Sequence, residues 1–556
     1  MGMRDVLQNL FQTNPSSNNE SDMMFANFPT SSYGTANDEE KHPVLEESST
    51  YSTDSSSEAS LPGSPQRQGK SSNKNKSSLT ILQLAVLIFY SVSGGPFGME
   101  ESVRAAGPFY TLLGCLVAPL IFSVPECLMT VELSSGGFAS SAAGCAWVEE
   151  AFGNTAGFLT GYLQWVSGVT DNAIYPVLFL EYLLQVFPND TLQSDEGSNI
   201  TKYMLITSIS VGLSYLNWLG LDLVGNMSIV VCGIAMSPFV LLMMFGATKV
   251  DPELWFQVPT DFMEDISNST MLDNTVAAVA DDDDMDMEGG FFPNLVLGGV
   301  LLRPFLNNLF WNFNSFDNAG SFAEDVREPS RVVPRAMLWG LIMVVLGYIL
   351  PMLVALGTTD AAPSEWVDGY LATVCTETVG PWLGQWLVLA AALSNIGLFQ
   401  AELSADAYML MGMAERGYLP QFLAQRNPKT GTPTYSLFLG TMVIVVMGVS
   451  NLDSLIEMLN FNYALALIME YAAFLKLRIS KPDVDRPYKV PLGTFGCAIA
   501  LIPTIMALVA VIALASYTTI CVNAVTITFG ILAYTLTRRM QASNQYERVP
   551  AMSFDV

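Results

Sequence analysis

The sequence predicts an all-α integral membrane protein with twelve transmembrane helices, and three observations carry that prediction. The 556 residues are 51% apolar and only 14% charged, with a mean hydropathy of +0.36. Apolar stretches of about 20 residues, the length that crosses the hydrocarbon core of a bilayer, recur from Leu79 onward. Lys and Arg collect on one set of the intervening segments, as cytoplasmic loops do. This composition disfavours a soluble enzyme.

The apolar stretches define a membrane domain at residues 78–540. It is preceded by residues 1–77, whose Ser, Asn, Glu and Asp content predicts a disordered cytoplasmic tail, and followed by a second cytoplasmic tail at 541–556. The predicted spans are 79–105, 109–133, 155–186, 201–219, 224–247, 295–322, 334–357, 382–411, 435–450, 453–476, 495–516 and 518–537.

Charge sets the predicted orientation. Lys and Arg follow spans 6, 8 and 10, which places those segments inside the cell. The segments 187–200, 251–290 and 358–381 are acidic and contain no Lys or Arg, so we expect them outside, with 251–290 as an acidic extracellular loop. Both termini are then cytoplasmic, and we expect the plasma membrane as the location.

Two spans carry helix-breaking sequences at matching positions. Span 1 contains Gly94, Gly95 and Pro96, and span 6 contains the segment 310–318, whose short amide and hydroxyl side chains compete for backbone groups. Either break alone could be an ordinary kink. Because they recur one five-helix unit apart, in spans 1–5 and 6–10, they predict the five-plus-five inverted repeat of a secondary transporter.

Four segments resemble a known family: 93–101 (SGGPFGMEE), 166–182 (VSGVTDNAIYPVLFLEY), 311–336 (WNFNSFDNAGSFAEDVREPSRVVPRA) and 393–420 (LSNIGLFQAELSADAYMLMGMAERGYLP). They are similar to the amino acid–polyamine–organocation (APC) superfamily. Within it they look most like the polyamine uptake transporters of plants and protozoa, relatives of the L-type amino acid transporters. The resemblance covers residues 78–540. It implies a LeuT-like fold with two extra helices and a substrate site between spans 1, 3, 6, 8 and 10.

The resemblance also carries two specific implications. Superfamily members that bind amino acids hold the carboxylate with a Gly-Ser-Gly-type segment, matched here by Ser93, Gly94 and Gly95, although a proline follows. L-type transporters join a single-span glycoprotein through a cysteine between spans 3 and 4. Residues 187–200 contain no cysteine, so we expect no disulfide-linked heavy subunit.

Acidic residues within or beside the spans outnumber basic ones, which are chiefly Arg104 and Arg303. A charge at the bilayer centre costs at least about 2.5–3.5 kcal/mol, so each acid should face a cavity, a partner or the interface. The excess predicts cationic cargo. The acids are Glu100, Glu101, Glu126, Glu132, Asp171, Glu181, Asp317, Glu324, Glu402, Asp406 and Glu470.

The candidate substrate-binding residues combine the two breaks with carboxylates and aromatic rings. Helical spacing places Asp171 beside Tyr175, and Tyr463 on the same face as Glu470. Alternatives stay open: Asp171 could pair locally, Glu470 could hydrogen-bond a neighbouring helix, and aromatic residues such as Trp311, Phe313 and Phe316 could serve packing. The predicted site comprises Ser93, Gly94, Gly95, Asp171, Asn172, Tyr175, Asn312, Asn314, Ser315, Asp317, Tyr463 and Glu470.

Proton coupling through a buried carboxylate is the preferred energy source, with Asp317, Glu402 and Glu470 as candidates. Sodium coupling and ungated exchange stay open. The single histidine, His42, lies in the N-terminal tail, and no Cys or His spacing suits a metal. We expect no cofactor, no metal and no catalytic residues, because no nucleophile and base form a recognisable arrangement.

The predicted function is import of polyamines, amino acids or both, coupled to H⁺, by alternating access across the bilayer. We expect no nucleic-acid partner. The alternatives are a neutral or cationic amino acid exchanger, and a transporter-derived nutrient sensor whose 1–77 tail signals. Removing that tail separates them, because a sensor would lose signalling while it bound solute without net flux.

Overall fold

The computed structural model describes residues 79–187, 198–259, 295–448 and 452–542, most of which are α-helical. The predicted N-terminal tail, 1–77, lies outside the described residues. So do most of the predicted C-terminal tail, 541–556, and most of the acidic segment 251–290.

Sixteen α-helices fall within the described ranges, numbered here in chain order. They are α1 (Ile81–Val92), α2 (Glu100–Ala118), α3 (Val124–Ser134), α4 (Ala143–Phe152), α5 (Asn154–Val186), α6 (Ser198–Trp218), α7 (Leu221–Gly246), α8 (Leu302–Phe313), α9 (Pro329–Thr358), α10 (Tyr370–Thr378), α11 (Pro381–Glu415), α12 (Thr434–Met447), α13 (Leu452–Ser480), α14 (Thr494–Ala500), α15 (Ile502–Ala513) and α16 (Tyr517–Ala542). A π-helical turn, Pro119–Ser123, joins α2 to α3, and short 3₁₀ segments include Phe316–Asp325.

Seven helical segments of the described chain are long and apolar enough to cross a membrane. They are Glu100–Ser134, Leu221–Lys249, Pro329–Thr358, Pro381–Glu415, Leu455–Ser480, Thr494–Ala513 and Tyr517–Arg539. Helices α1 and α12 are apolar but shorter. The chain is therefore a multi-pass helical membrane protein, and the count of twelve spans stays a prediction.

The predicted interruption of span 1 is confirmed. Helix α1 begins after Thr80, whose side chain and that of Gln83 form a capping box, and it ends at Val92. Residues 93–99 are not helical. Gly95 and Gly98 have φ values of +106° and +84°, a region that residues with a side chain rarely adopt.

The interruption of span 6 is also confirmed, but the predicted start of that span at residue 295 is wrong. Strands β1 (Val296–Leu297) and β2 (Val300–Leu301) form a hairpin there, and helix α8 begins only at Leu302. Gly298 and Gly299 make the turn with positive φ values of 61° and 84°. Helix α8 ends at Phe313, and Ser315 then adopts a left-handed conformation with φ +74°.

Two short helices, α4 and α10, lie outside the predicted spans. Each is shorter than the roughly 20 residues needed to cross the hydrocarbon core, so a search for membrane spans passes over them. Helix α4 packs on α5 and α13, and α10 packs on α11. Both helices add buried surface to the bundle, but they are too short to be predicted as membrane spans.

Helix α5 lies at the centre of the described helices, in contact with α4, α11 and α13. Glycines allow the close approach. A Cβ at Gly161 would lie 2.6 Å from Cys145 Cβ, and one at Gly168 would lie 2.1 Å from Asp406 Oδ1. The polar side chains of α5 are thereby brought against those of α11 and α13.

A buried ion pair joins the end of α3 to the end of α13 and to the segment that follows it. Arg478 donates from Nε and Nη2 to the two oxygens of Glu132 at 2.8 and 2.6 Å. The Nε of Arg486 lies 3.4 Å from Glu132 Oε1, and the amide of Val490 donates to Oε2 at 2.8 Å. Glu132 is fully buried, so this contact couples α3 to residues 486–490.

We predict that Glu132→Gln destabilises the protein by about 3–5 kcal/mol, because two buried arginines lose their shared counter-charge. The midpoint of thermal unfolding in detergent measures the effect. Glu328→Gln is the matched control: its pair with Arg331 is exposed, with side chains 58% and 75% accessible, and should contribute under about 1 kcal/mol. Equal midpoints for the two variants would contradict the assignment.

Candidate functional site

The two interrupted helices meet through Asn308 of α8. Its Nδ2 donates to the carbonyl of Gly98 at 2.9 Å, and its Oδ1 accepts from Ser102 Oγ at 2.6 Å. Trp311, one turn later, lies over the same glycine, 3.4 Å from where a Cβ of Gly98 would sit. The residues just before the second break therefore contact the first break.

Side chains satisfy several backbone groups of the first break. The amide of Gly95 donates to Ser93 Oγ at 3.0 Å, and the amide of Gly98 donates to Glu100 Oε2 at 2.9 Å. Ser394 of α11 donates to the carbonyl of Gly94 at 2.5 Å. The unwound segment is thus held in its non-helical form by its own residues and by α11.

Beside the second break, five polar residues form one buried network. Tyr463 Oη contacts Asp317 Oδ1 and lies 2.8 Å from Glu126 Oε1, which also accepts from the amide of Asp317 at 3.0 Å. Gln164 Nε2 donates to Asp317 Oδ2 at 2.5 Å and contacts Glu470 Oε1. We call Glu126, Gln164, Asp317, Tyr463 and Glu470 the Asp317 cluster.

The Asp317 cluster contains three carboxyl groups and no counter-charge. Glu126 and Glu470 are fully buried, and Asp317 is 1% exposed. Among the described residues, no Lys or Arg forms a salt bridge with any of the three. Three ionised carboxylates in such a site would cost several kcal/mol each, so the cluster favours bound protons or a bound cation.

A second group of carboxylates lies between α5 and α11. Asp171 Oδ1 accepts from Trp311 Nε1 at 3.1 Å, and the neighbouring Asn172 donates to Asp406 Oδ2 at 3.2 Å. Glu402 lies one helical turn before Asp406 on α11. We call Asp171, Glu402 and Asp406 the Asp171 cluster. They are 8%, 4% and 2% exposed, and no described Lys or Arg pairs with them.

Two adjacent residues of the 3₁₀ segment connect the clusters. Asp317 belongs to the first, and Asn318 donates from Nδ2 to both oxygens of Glu402 at 3.2 Å. The 3₁₀ segment is therefore hydrogen-bonded to both clusters.

The predicted site residues separate into three groups. Asp317, Tyr463 and Glu470 lie in the Asp317 cluster, and Glu470 hydrogen-bonds a neighbouring helix, one of the two roles considered for it. Asp171, Asn172, Tyr175 and Glu402 lie in or against the Asp171 cluster. The remaining residues, Ser93, Gly94, Gly95, Asn312, Asn314 and Ser315, form the two backbone breaks.

Asn312 braces α8. Its Nδ2 donates to the Asn308 carbonyl at 2.8 Å, and its Oδ1 accepts from Tyr348 Oη at 2.6 Å. Asn314 accepts from Ser315 Oγ at 2.6 Å. The Asn312 contact with Tyr348 joins α8 to α9, and neither Asn312 nor Asn314 reaches a carboxylate of the two clusters through a contact that the structure describes.

Sequence reasoning missed Gln164 and Asn318 and left Glu126 and Asp406 unassigned among the intramembrane acids. Glu126 and Asp406 carried a signal, since each is an acid in an apolar span. Gln164 is a neutral residue of α5 and carried none. Two other intramembrane acids differ from the acids of the two clusters in having basic partners. Glu101 pairs with Arg104, and Glu132 pairs with Arg478.

Comparison with known proteins shows the family of the chain. A family model described as amino acid permease matches residues 79–538. The chain is 37% identical over 469 residues to a probable polyamine transporter of Arabidopsis thaliana, covering 84% of this chain and 88% of that protein. It is 34% identical to polyamine transporter PUT1 of Oryza sativa subsp. japonica, covering 82% and 77%. It is 21% identical to the arginine/ornithine antiporter ArcD1 of Lactococcus lactis, covering 67% and 68%.

We predict that Gly95→Val abolishes solute uptake while the protein still inserts in the membrane. Its φ of +106° disfavours a β-branched residue, and a Cβ would lie 2.3 Å from Met236 Cε. Gly212→Val is the matched control, because Gly212 lies on α6 with nothing within 4 Å of its Cβ position. Uptake of a radiolabelled diamine, normalised to surface protein, measures both. Wild-type uptake by Gly95→Val would show that this segment has no part in transport.

Proposed function

Because the chain belongs to the amino acid permease family, whose model spans residues 79–538, we propose that it imports polyamines as a proton-coupled secondary transporter working by alternating access. The family and its relatives are transporters, so the chain is a membrane transporter and not an enzyme. The plant relatives named as polyamine transporters support a polycationic substrate.

The observation that carries the proposal is the Asp171 cluster, three buried carboxylates without a basic partner among the described residues. The chain's own donors to these groups are neutral: Trp311, Asn172 and Asn318. A protonated diamine would supply the missing positive charge at two separated points. Charge-assisted hydrogen bonds of this kind are roughly twice as strong as neutral ones.

Aromatic side chains beside the carboxylates support the same class of substrate. Trp311 contacts both Asp171 and the break at Gly98, and Tyr175 lies against the Asp171 cluster. Their rings offer apolar walls for methylene groups and faces for an ammonium group. Asp171 and Asn318, at 8% and 9%, are among the more exposed polar groups here, so we assign first contact with substrate to them.

An amino acid substrate is the alternative. Its α-carboxylate would need free amides in the first break, but the amides of Gly95 and Gly98 already donate to Ser93 and Glu100. A carboxylate would also approach two groups of buried acids. Arginine and ornithine, named in the ArcD1 relative, carry a side-chain cation and suit the site better than leucine does.

The proposal includes the topology predicted from the sequence. It has twelve spans, the LeuT-like five-plus-five repeat with two extra helices, both termini in the cytoplasm and a plasma-membrane location. Breaks in equivalent positions of spans 1 and 6 support the repeat. Proton coupling is supported by buried carboxyl groups that have no basic partner within the described ranges, with Asp317, Glu402 and Glu470 as the candidates. The carrier works without a disulfide-linked heavy subunit.

We predict that Asp171→Asn raises the KM for putrescine about 10- to 150-fold, the equivalent of one hydrogen bond to a charged group. Asn is nearly isosteric, so folding should persist. Asp360→Asn is the control, because Asp360 is exposed and its hydrogen bond is to Gln257. Initial rates of radiolabelled putrescine uptake, competed with spermidine, arginine and leucine, measure the effect. Uptake of leucine that putrescine does not inhibit would contradict a polyamine carrier.

A further inference from the structure

In the Asp317 cluster, Tyr463 makes more hydrogen-bond contacts with carboxyl oxygens than its single hydroxyl hydrogen can supply. Tyr463 has one phenolic hydrogen, yet its oxygen contacts carboxyl oxygens of both Glu126 and Asp317. One of these contacts therefore needs a hydrogen that belongs to a carboxyl group. A protonated Glu126 would donate to Tyr463, and Tyr463 would in turn donate to Asp317.

Unpartnered buried oxygens support the same conclusion independently. Gln164 is 5% exposed, and its Oε1 has no hydrogen-bond partner among the described residues. This oxygen lies 2.7 Å from the Cβ position of Gly144, and Glu470 Oε1 lies 1.8 Å from the same point, so the two oxygens are near neighbours. Glu126 Oε2 and Glu470 Oε2 are also unpartnered. The cluster thus offers buried acceptors for a hydrogen that its own neutral groups do not supply.

No Lys or Arg of the described ranges forms an ion pair with the cluster that could replace a proton. The titratable side chains that interact electrostatically with the cluster include Cys127, Cys145, Glu402 and Tyr471, all neutral or acidic. No three acidic, Cys or His groups of the described chain are placed to hold a metal ion. A proton is the cation that fits between a phenol and a carboxylate at hydrogen-bonding distance.

Building on the proposed function, we infer that Glu126, Tyr463 and Asp317 carry the coupled proton, with Gln164 and Glu470 holding Asp317 in place. The transfer is balanced. Glu126 gives its carboxyl proton to Tyr463 Oη, which breaks the O–H bond of Glu126. At the same time Tyr463 gives its phenolic proton to Asp317 Oδ1, which breaks the phenolic O–H bond. One proton moves from Glu126 to Asp317, and Tyr463 ends neutral.

The position of Asp317 links this proton to the substrate. The next residue, Asn318, donates to both oxygens of Glu402 in the Asp171 cluster. Protonation of Asp317 changes the charge and hydrogen bonding of the 3₁₀ segment that carries both residues. In this assignment Glu126 serves proton coupling, and the Asp171 cluster binds the diamine.

The test uses the purified full-length chain in proteoliposomes with a pH dye inside and radiolabelled putrescine outside. Glu126→Gln should abolish the proton movement that accompanies uptake and reduce accumulation driven by an inward proton gradient about tenfold or more. Exchange of external for preloaded putrescine should continue, with its KM within about threefold of wild type, because the substrate site is unchanged. Asp171→Asn should show the reverse, with weakened exchange and retained proton movement per putrescine.

A second pair of variants keeps the test valid if Glu126→Gln does not fold. Tyr463→Phe removes the bridging hydroxyl and should slow gradient-driven uptake about tenfold or more. Tyr471→Phe is the matched control: Tyr471 lies on the same helix, is also buried, and its Oη has no described partner. Its uptake should stay within about twofold of wild type.

The outcomes separate this inference from the proposed function. A wild-type protein that does not transport putrescine, or transports it without proton movement, overturns the proposed function and this inference with it. A proton-coupled wild type whose Glu126→Gln and Tyr463→Phe variants remain fully coupled overturns this inference alone.

Discussion

The structure depends on how six acidic side chains are held inside an apolar helical bundle with no basic partner among the described residues. Glu132 shows the ordinary solution, since Arg478 and Arg486 surround it and the group serves to join α3 to residues 486–490. In the part of the chain that the structure describes, the side-chain donors to the acids of the Asp317 and Asp171 clusters are neutral. An unpaired charge in this position is costly enough that protons or a cationic solute must complete the site. The same constraint explains why the two clusters are functional candidates and the Glu132 group is structural.

The broken helices supply the geometry that these acids need. A continuous helix at residues 313–318 would use its own backbone amides internally, whereas the left-handed Ser315 and the 3₁₀ segment free the amide of Asp317 to bind Glu126. The first break is similarly fixed by Ser394 and Asn308. Non-helical backbone at this depth is tolerated because protein groups satisfy it. Unwinding, carboxylate placement and the connection between the clusters are thus consequences of one local arrangement.

The sequence could predict features with local causes and not those that depend on distant contacts. Glycines and a proline mark the first break, short polar residues mark the second, and helical spacing places Asp171 beside Tyr175. The hairpin at 296–301 was missed because its residues are apolar and hydropathy averaging hides the two turn glycines. The role of Gln164 depends on contacts with residues 153 and 306 positions away. That Asp317 and Asp171 belong to different clusters follows from helix packing, which a single sequence does not determine.

Equilibrium binding to the purified protein tests most directly whether the buried carboxylates of the two clusters bind cationic solutes. Butylamine, putrescine and leucine have similar apolar content but carry one, two and zero net positive charges. We predict that putrescine binds at least about tenfold more tightly than butylamine, the equivalent of a second charge-assisted hydrogen bond. Leucine should bind weakest. Equal affinities for the three solutes, or tightest binding of leucine, would contradict this prediction.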